Sequence, residues 1–346
     1  MTPRDSATVP AIAAPKSGRP AASVIVLAYN AGAFIRRSLE SLRRQTLAES
    51  FDVILVWSGD PETPEIVRRE FPEVRVVGRR ERLLTGAARN LGIRNARAEV
   101  IAFLAADCEA APDWLERRVA AHREGHDLVG GAVVWAEPAN ALARASHVLE
   151  YNAFPPGRPR EVVQSPVYNL SFRRSVFERF GRYDETLPCG EDTALIWALV
   201  ASGQRFLFDP AIRIVHPGTA SLGEFWRHQE WHGLWLGRLS RRQQVPGVGG
   251  TGARHFARLV AVYPAARLVR MWRRLIAWQP DWARQAVLLT PLLLLGIAAA
   301  TLGLVKGLLR PAAEEEHASR PDPELRSVAA PGGGASAHGQ RVTPPA

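Results

Sequence analysis

Cysteine is scarce in this chain, and other features that mark special classes of protein are missing. Only Cys108 and Cys189 occur among 346 residues, which excludes a disulfide framework and a cysteine-rich zinc site. Such sparing use of cysteine fits a reducing compartment. No internal repeat is visible, and residues 1–21 lack the apolar stretch that a signal peptide requires. The composition, 47% hydrophobic and 23% charged, is that of a folded protein rather than a disordered or collagen-like one.

Positive charge is in excess, but it is concentrated in one part of the chain. The net charge is +10, and most of it comes from residues 227–284, which hold eleven arginines against Glu230 and Asp281. An apolar stretch follows this basic segment, so we interpret the segment as facing anionic membrane lipids. Neither zinc-finger spacing nor an aromatic and basic RNA-binding pattern accompanies the arginines. We therefore expect no nucleic-acid partner.

Composition divides the chain into five segments. Residues 1–21 predict a disordered lead, and residues 22–240 predict the folded domain. Residues 241–285 predict a basic helical segment beside a membrane. Residues 286–309 are interpreted as a transmembrane helix, and residues 310–346, rich in Pro, Gly, Glu and Ser, as a disordered tail.

The membrane prediction rests on residues 286–305, which contain no charged side chain. Twenty residues are enough for a helix to cross the apolar core of a bilayer. A buried core helix is the alternative, although core helices of this length seldom lack a polar face. We therefore predict a helix that spans the membrane or inserts deeply into it. Because the arginines precede this helix, the positive-inside rule places the main domain on the cytoplasmic side of the inner (cytoplasmic) membrane.

Buried strands alternate with helices in the first half of the folded domain. Apolar runs predict four strands, at residues 22–27, 53–57, 74–77 and 100–104. Apolar strands that alternate with helices indicate an α/β fold with a parallel sheet covered on both faces. Ligands of such sheets bind beyond the carboxyl ends of the strands, so residues 29–30, 57–60 and 105–109 should converge on one crevice.

The pattern becomes mixed beyond Gly130. It predicts a strand over residues 167–172, a short helix over 175–180 and an amphipathic helix over 192–202. Two further short strands are expected, over residues 206–208 and 212–215.

A series of motifs runs through residues 22–240 in a fixed order. They are SVIVLAYNAGAFIRRSLESLRRQ from Ser23, GAARNLGIRNARAEVIAFLAADC from Gly86, PDWL from Pro112, YNLSFRRSVFERFGRYDE from Tyr168, GEDTAL from Gly190 and a strand that closes in His216. Each motif alone is weak, but the ordered series resembles the family 2 glycosyltransferases. The resemblance implies the GT-A fold, a Rossmann-like, mostly parallel sheet flanked by helices. It also implies transfer of a sugar from a nucleotide-sugar donor, usually with a divalent metal.

The resemblance assigns donor-binding residues to the ends of the first two strands. Ala28, Tyr29 and Asn30 end the first strand, where the family contacts the nucleoside; the alternative is a simple turn with an Asn that tolerates unusual backbone angles. After the second strand the family usually has an Asp that reads the base, and Trp57 stands nearest to that position. Trp57 can stack on a base or form a wall, but it accepts no hydrogen bond. Asp60 is either a substitute from a shifted loop or an ordinary solvated residue.

Arg89 and Asn90 lie on the predicted helix after the third strand, which would line the donor pocket with Arg89 near the diphosphate. A plain surface arginine is the alternative.

The family's metal motif, Asp-X-Asp, reads Ala105-Ala106-Asp107 here, so only Asp107 remains. Mg²⁺ and Mn²⁺ prefer oxygen ligands and can keep several waters, so one carboxylate and the diphosphate could hold either ion. His216 resembles a histidine that supplies a further ligand in some relatives, and a structural histidine is the alternative.

Resemblance makes Asp192 the catalytic base. An acceptor hydroxyl must lose its proton as it attacks the anomeric carbon, and a carboxylate can take that proton. Acids at the start of a helix can instead merely stabilise its N-terminus. Glu191 is assigned to orienting the loop or the acceptor.

The aromatic and basic stretch of residues 225–239 either flanks the acceptor site or forms an amphipathic helix that docks the domain on its membrane segment. We expect an inverting glycosyltransferase whose acceptor is a lipid-linked or cell-envelope glycan. The alternative is a catalytically silent relative that binds a nucleotide sugar or glycan at the membrane, since acids are missing at positions 57 and 105.

Overall fold

A computed structural model describes residues 18–164, 168–218, 221–241 and 253–309. Residues 1–17 of the predicted disordered lead and residues 310–346 of the predicted disordered tail lie outside the described residues. Residues 242–252 of the predicted basic segment do so as well.

Nine strands of the described residues form one sheet. In chain order they are β1 (Ala22–Tyr29), β2 (Phe51–Ser58), β3 (Arg75–Arg79), β4 (Val100–Ala105), β5 (Glu109–Ala110), β6 (Leu128–Trp135), β7 (Glu161–Val163), β8 (Ser171–Arg173) and β9 (Phe206–His216). The strand order is β3-β2-β1-β4-β8-β6-β9-β5, and β7 also pairs with β9. β1 pairs in parallel with β2 and β4, whereas β8 is antiparallel to both of its neighbours. The predicted α/β fold and its four initial strands are confirmed.

Eleven helices of the described residues surround this sheet. They are α1 (Ile35–Arg43), α2 (Glu62–Glu70), α3 (Thr85–Asn95), α4 (Trp114–Arg123), α5 (Ala141–Tyr151), α6 (Arg174–Phe180), α7 (Glu191–Ala201), α8 (Leu222–Arg241), α9 (Ala253–Trp278), α10 (Pro280–Leu288) and α11 (Thr290–Leu309). Alternate residues of β1 face the two layers: Val24 and Val26 pack with α1 and α4, and Ile25 packs with α3 and α7. This alternation explains why the strands read as continuous apolar runs.

The two short strands expected at residues 206–208 and 212–215 are one long strand, β9. β9 pairs in parallel with β6, but the register shifts where Gly131 faces Asp209 and Ala132 faces Arg213. The extra residues of β9 include Pro210, which has no N–H to donate to a ladder. The gap between the two expected strands is therefore an irregularity within the single strand β9.

The apolar helix expected from residue 286 begins instead at Thr290, after a break at Leu289. Pro291 has no N–H to donate to the carbonyl of Val287, and the Thr290 hydroxyl donates to that carbonyl at 2.8 Å. α11 is long and apolar enough to cross a membrane by length and composition alone, with a mean hydropathy of 2.1.

Glycines bring α11 into direct backbone contact with α8. A Cβ added at Gly303 would lie 1.9 Å from the Glu230 carbonyl oxygen, and one at Gly233 would lie 1.9 Å from that of Ala300. An ion pair between Lys306 and Glu230 closes the same interface. One side of α11 is therefore part of the folded domain. Its other side exposes large apolar side chains, including Leu294, Leu302 and Leu309.

Candidate active site

A cavity of about 750 Å³ opens where the carboxyl ends of β1 and β4 meet the end of β9 and the start of α7. α3, α5, α8 and α9 also contribute to its wall. Among the residues predicted from sequence, those that line the cavity are Arg89, Asp107, Glu191, Asp192 and His216. Of the three segments expected to converge on one crevice, residues 105–108 contribute to this cavity, whereas residues 29–30 and 57–60 do not line it.

Asp107 follows β4 and lies near His216 at the end of β9. The Asp107 Oδ2 atom is 3.9 Å from His216 Nε2. Cys108 is the third member of the cluster, and one ligand atom from each residue lies within 4.8 Å of the others. Metal–ligand bonds of about 2.0–2.6 Å can bridge such a group. The described residues thus contain an Asp/Cys/His cluster that fits a divalent cation.

The histidine of this cluster has a tautomer preference. The Gly218 N–H donates to His216 Nδ1 at 3.2 Å, so in the neutral imidazole the proton lies on Nε2, facing Asp107. A cation on Nε2 would require the proton to move to Nδ1 and the Gly218 bond to be lost. Asp107 therefore offers a ready ligand, whereas His216 must rearrange to become one.

Arg89 projects from α3 into the wall beside Glu191. Its Nη2 lies 3.6 Å from Glu191 Oε1, and its guanidinium lies 4.9 Å from the ring centroid of Tyr183. Burial opposes the charge of Arg89, but Tyr183, Glu191 and Asp192 outweigh it and hold the Arg89 pKa above its ordinary value. Arg89 is thus a permanent, partly buried cation and not a free surface arginine.

Glu191 and Asp192 open α7 after a left-handed turn at Gly190, where φ is +81°. A Cβ at Gly190 would lie 2.7 Å from Leu239 Cδ1, so α8 packs directly against this turn. Glu191 is 4% exposed. The Thr193 N–H donates to Asp192 Oδ1 at 2.6 Å. Among the described residues, only Thr193 donates hydrogen bonds to Asp192, which leaves its second oxygen available to a ligand.

The predicted nucleoside-binding residues lie at the same edge of the sheet but do not line this cavity. Asn30 adopts a left-handed conformation, with φ +49°, and its Oδ1 accepts the Asp60 N–H at 2.8 Å. Asp60 in turn accepts from Thr63 N at 2.7 Å at the start of α2. Ala28 pairs with Trp57 across β1 and β2, and Trp57 is buried. Tyr29 stacks with Arg82.

Asn90 is also placed away from the cavity. Its Nδ2 donates to the Tyr183 carbonyl at 2.8 Å and to Glu185 Oε1 at 2.9 Å, and its Oδ1 accepts the Tyr183 N–H at 3.1 Å. These bonds connect α3 to the loop before α7. Asn90 therefore holds the segment that leads to Glu191 and Asp192.

Several polar residues of the wall carried no recognisable sequence signal. Glu150, on α5, accepts from Ser146 at 2.7 Å and Gln229 at 2.8 Å, and lies 2.8 Å from His228 Nε2. Burial raises the Glu150 pKa, but His228 and His232 outweigh it, and the net pKa is below the ordinary value. Residues 225–239, for which two roles were left open, both line the cavity and pack against α11.

Below the cavity, Asn169 organises a buried polar network. Its side chain accepts from Trp114 Nε1 at 2.9 Å and from Arg118, and donates to the carbonyls of Ala132 and Ile212. Burial lowers the pKa of Arg118 to about 9. Asn169 has φ +54° and belongs to the motif that begins at Tyr168.

The family model of glycosyl transferase family 2 matches residues 23–181, which include β1, β4 and Asp107. The matched part, just under half of the chain, is a glycosyltransferase family 2 domain. Two relatives extend the match: glycosyltransferase AglE of Haloferax volcanii is 28% identical over 61% of this glycosyltransferase and 71% of AglE. Succinoglycan biosynthesis protein ExoO of Rhizobium meliloti is 27% identical over 57% of this chain and 60% of ExoO.

The fold of this glycosyltransferase also occurs in a solved structure. Mannosyltransferase PcManGT from Pyrobaculum calidifontis, in complex with GDP-Man and Mn²⁺, has a TM-score of 0.54 and 18% sequence identity, covering 85% of this chain and 88% of that one. At this identity the likeness shows the fold alone, which is the GT-A fold expected from sequence.

Proposed function

We propose that this glycosyltransferase moves a sugar, with inversion, from a nucleoside-diphosphate donor to an acceptor hydroxyl, and that Asp192 is the base. The observation that carries the proposal is the position of Asp192 at the start of α7, in the cavity that Asp107 also lines. One Asp192 oxygen is held by Thr193, and the other can take the proton of the acceptor. The acceptor oxygen then attacks the anomeric carbon as the diphosphate departs.

Positive charges in the cavity would stabilise the diphosphate as it leaves. Arg89 is partly buried beside Glu191 and lines the cavity, so its permanent charge is available to the diphosphate. Glu191 positions the guanidinium rather than acting as a base. Asp107, with His216 as the second ligand, would hold Mg²⁺ or Mn²⁺, which when bound supplies positive charge for the leaving diphosphate. Tyr29, Asn30 and Trp57 remain proposed walls of the nucleoside subsite at the adjoining strand ends.

The proposed acceptor is a lipid-linked or cell-envelope glycan, and the proposed location is the cytoplasmic face of the inner membrane. ExoO is named for succinoglycan biosynthesis, which supports a polysaccharide product. Most of the exposed large apolar side chains lie on α8–α11, and we propose that the outer side of α11 anchors the protein in the bilayer. The excess of arginine before α11 supports the cytoplasmic orientation.

The test is a donor screen followed by two substitutions. Purified protein is incubated with several nucleotide sugars, with and without Mn²⁺, and donor binding and turnover are measured. Asp192→Asn should keep donor binding but lose about 10²–10⁴-fold in turnover, because the amide keeps the shape and cannot take a proton. Asp107→Asn should weaken donor binding in Mn²⁺ instead, and added Mn²⁺ should partly restore it.

Asp113→Asn is the matched control, since Asp113 is also an acid at a helix start but lies outside the cavity. If stabilising a helix N-terminus were the whole role of Asp192, the two substitutions would have similarly small effects. Near-normal turnover of Asp192→Asn would reject the assigned base. Saturable donor binding without turnover by the wild-type protein on any glycan acceptor would favour the silent-relative alternative.

A further inference from the structure

α9 turns a row of arginines toward the cavity. Tyr263, Arg267, Arg270, Arg274 and Trp278 line it, and their spacing of three or four residues puts them on one side of a helix. α9 lies outside the residues that the family model matches. The arginines were expected to face lipid head groups at the membrane surface, but these three belong to the wall of the candidate active site.

The described residues do not neutralise the positive charge of these arginines. Arg267 Nη2 donates to the Leu149 carbonyl at 3.2 Å and to Gln229 Oε1 at 3.3 Å. Arg274 Nη1 donates to Asn152 Oδ1 at 3.2 Å. All three acceptors are neutral oxygens. Within the described ranges, no carboxylate forms an ion pair with Arg267, Arg270 or Arg274.

Two of the acids near this wall, Glu150 and Glu161, have other partners. Glu150, the carboxylate that α5 contributes to the cavity, is held by Ser146, His228 and Gln229. Glu161 pairs with Arg158 at 2.8 Å, and the Arg158 guanidinium lies between the rings of Phe208 and Trp278.

Like charges accumulate in this wall as a result. Burial lowers the pKa of Arg274, and the nearby charges of Arg270 and Arg158 lower it further. Arg267 and Arg274 are partly buried, and Arg270 is exposed. Partly buried cations without a counter-ion are costly, and an anion bound between them would relieve that cost.

We propose that the cavity side of α9 binds a phosphate or diphosphate group of the acceptor, which makes the acceptor an anionic amphiphile. The guanidinium groups of Arg267, Arg270 and Arg274 suit phosphate, because each presents several donors in a planar fork. α9 exposes Val269 and Ile276 on the side away from the cavity, so this helix can lie at the surface of the bilayer that holds the apolar part of the acceptor. The inference rests on the proposed function, because it describes the acceptor of that same cavity.

The donor diphosphate is expected in a different part of the cavity from the acceptor phosphate. It is expected beside Asp107 and Arg89, which project from the β4 end and from α3, whereas the new subsite lies on α9. Two anion sites in one cavity keep donor and acceptor phosphates apart. Asp192, at the start of α7, would take the proton from an acceptor hydroxyl placed between the two sites.

The experiment measures binding of decyl phosphate and decyl diphosphate to the purified full chain by calorimetry, with decanol as the neutral probe and UDP and GDP as donor probes. The wild-type protein should bind the two phosphates more tightly than decanol. Arg270→Gln combined with Arg274→Gln should weaken phosphate binding at least tenfold and leave nucleoside diphosphate binding within twofold. The Lys versions of the same two substitutions should restore most of the loss, since they keep the charge.

Arg273→Gln is the matched control, because Arg273 lies on the same helix, is exposed and does not line the cavity. It should leave binding of decyl phosphate unchanged. The proposal is overturned if the double variant binds decyl phosphate as the wild type does, or if Arg273→Gln weakens binding equally, which would indicate general surface charge. Loss of UDP or GDP binding in the double variant would assign the arginines to the donor.

A vesicle experiment separates an acceptor phosphate from membrane phospholipid. Vesicles of anionic phosphatidylglycerol should bind the double variant and Arg273→Gln to similar extents. A specific loss of vesicle binding in the double variant, with decyl phosphate binding intact, would reject the acceptor subsite. These readouts do not depend on turnover, so a failed Asp192 experiment and a failed α9 experiment are distinguishable.

Discussion

The contact between α8 and α11 can be tested with one added methyl group. In Gly303→Ala the new Cβ would lie 1.9 Å from the Glu230 carbonyl oxygen and 2.8 Å from the Leu234 nitrogen. Backbone atoms cannot rotate away as a side chain can, so the helices must separate by roughly 1 Å or more to reach ordinary contact distance.

Two opposing effects determine how much Gly303→Ala lowers the free energy of unfolding. Overpacking of this kind costs about 1–3 kcal/mol. Alanine is the better helix former, and replacing glycine in a helix contributes roughly 0.8–1.0 kcal/mol in the other direction. Because the added Cβ meets backbone atoms, we take the upper part of the overpacking range, about 2–3 kcal/mol, and expect a net decrease of about 1–2 kcal/mol in the free energy of unfolding. Because Leu239 of α8 packs on Gly190 beside the proposed base, donor turnover should fall as well.

Urea unfolding, followed by tryptophan fluorescence in one fixed detergent, measures the change. Gly223→Ala is the control: it lies near the start of α8, and its Cβ would meet only the flexible end of Arg227 at 3.3 Å. That variant should be as stable as the wild type or slightly more stable. If Gly303→Ala also showed no loss, the two helices would not be packed together in solution, and α11 would be a separate membrane-spanning helix.

Two further predictions concern the anchor and the dependence of stability on pH. Leu294→Gln with Leu302→Gln, both on the exposed side of α11, should reduce binding to neutral vesicles roughly tenfold to hundredfold, because burying the exposed half of each leucine in a bilayer contributes about 0.7–1.4 kcal/mol. Unchanged flotation with vesicles would contradict the anchor. Burial lowers the pKa of His122 to about 3, so its unfolded form takes up a proton near pH 6.5 while the folded form does not. The free energy of unfolding should therefore fall by about 1.4 kcal/mol per pH unit for this group as the pH drops from 6.5 towards 3, and His122→Gln should have a slope that is shallower by that amount in urea titrations between pH 6 and 4. Equal slopes for the two proteins would show that His122 is protonated in the folded state.

Local patterns determined much of the fold. The apolar runs of β1, β2 and β4 predict strands because each is buried on both faces, and the parallel order follows from their alternation with helices. The same argument places Asp107 at the crevice, since it follows a strand end. Asn30 in its turn and acids at the start of α7 were also foreseeable, because both depend on neighbouring residues along the chain.

Tertiary structure alone decided which of these residues share the cavity. Asn90 and Arg89 are adjacent in sequence, yet Asn90 bonds to the Tyr183 backbone while Arg89 faces the cavity beside Glu191. A helix turns by about 100° per residue, so adjacent residues point to different neighbours, and the loop packed against α3 settles their roles.

The basic segment and the apolar helix also show which properties the local sequence determines and which depend on tertiary packing. Their composition identified arginines and a membrane-compatible helix, and both are properties of the local sequence. Composition carries no information on which side of α9 meets the cavity, or that Gly233 and Gly303 would let two helices touch. Those outcomes depend on partners roughly 70 or more residues away in the chain, Gly233 against Ala300 and Arg274 against Asn152, and only packing brings such partners together.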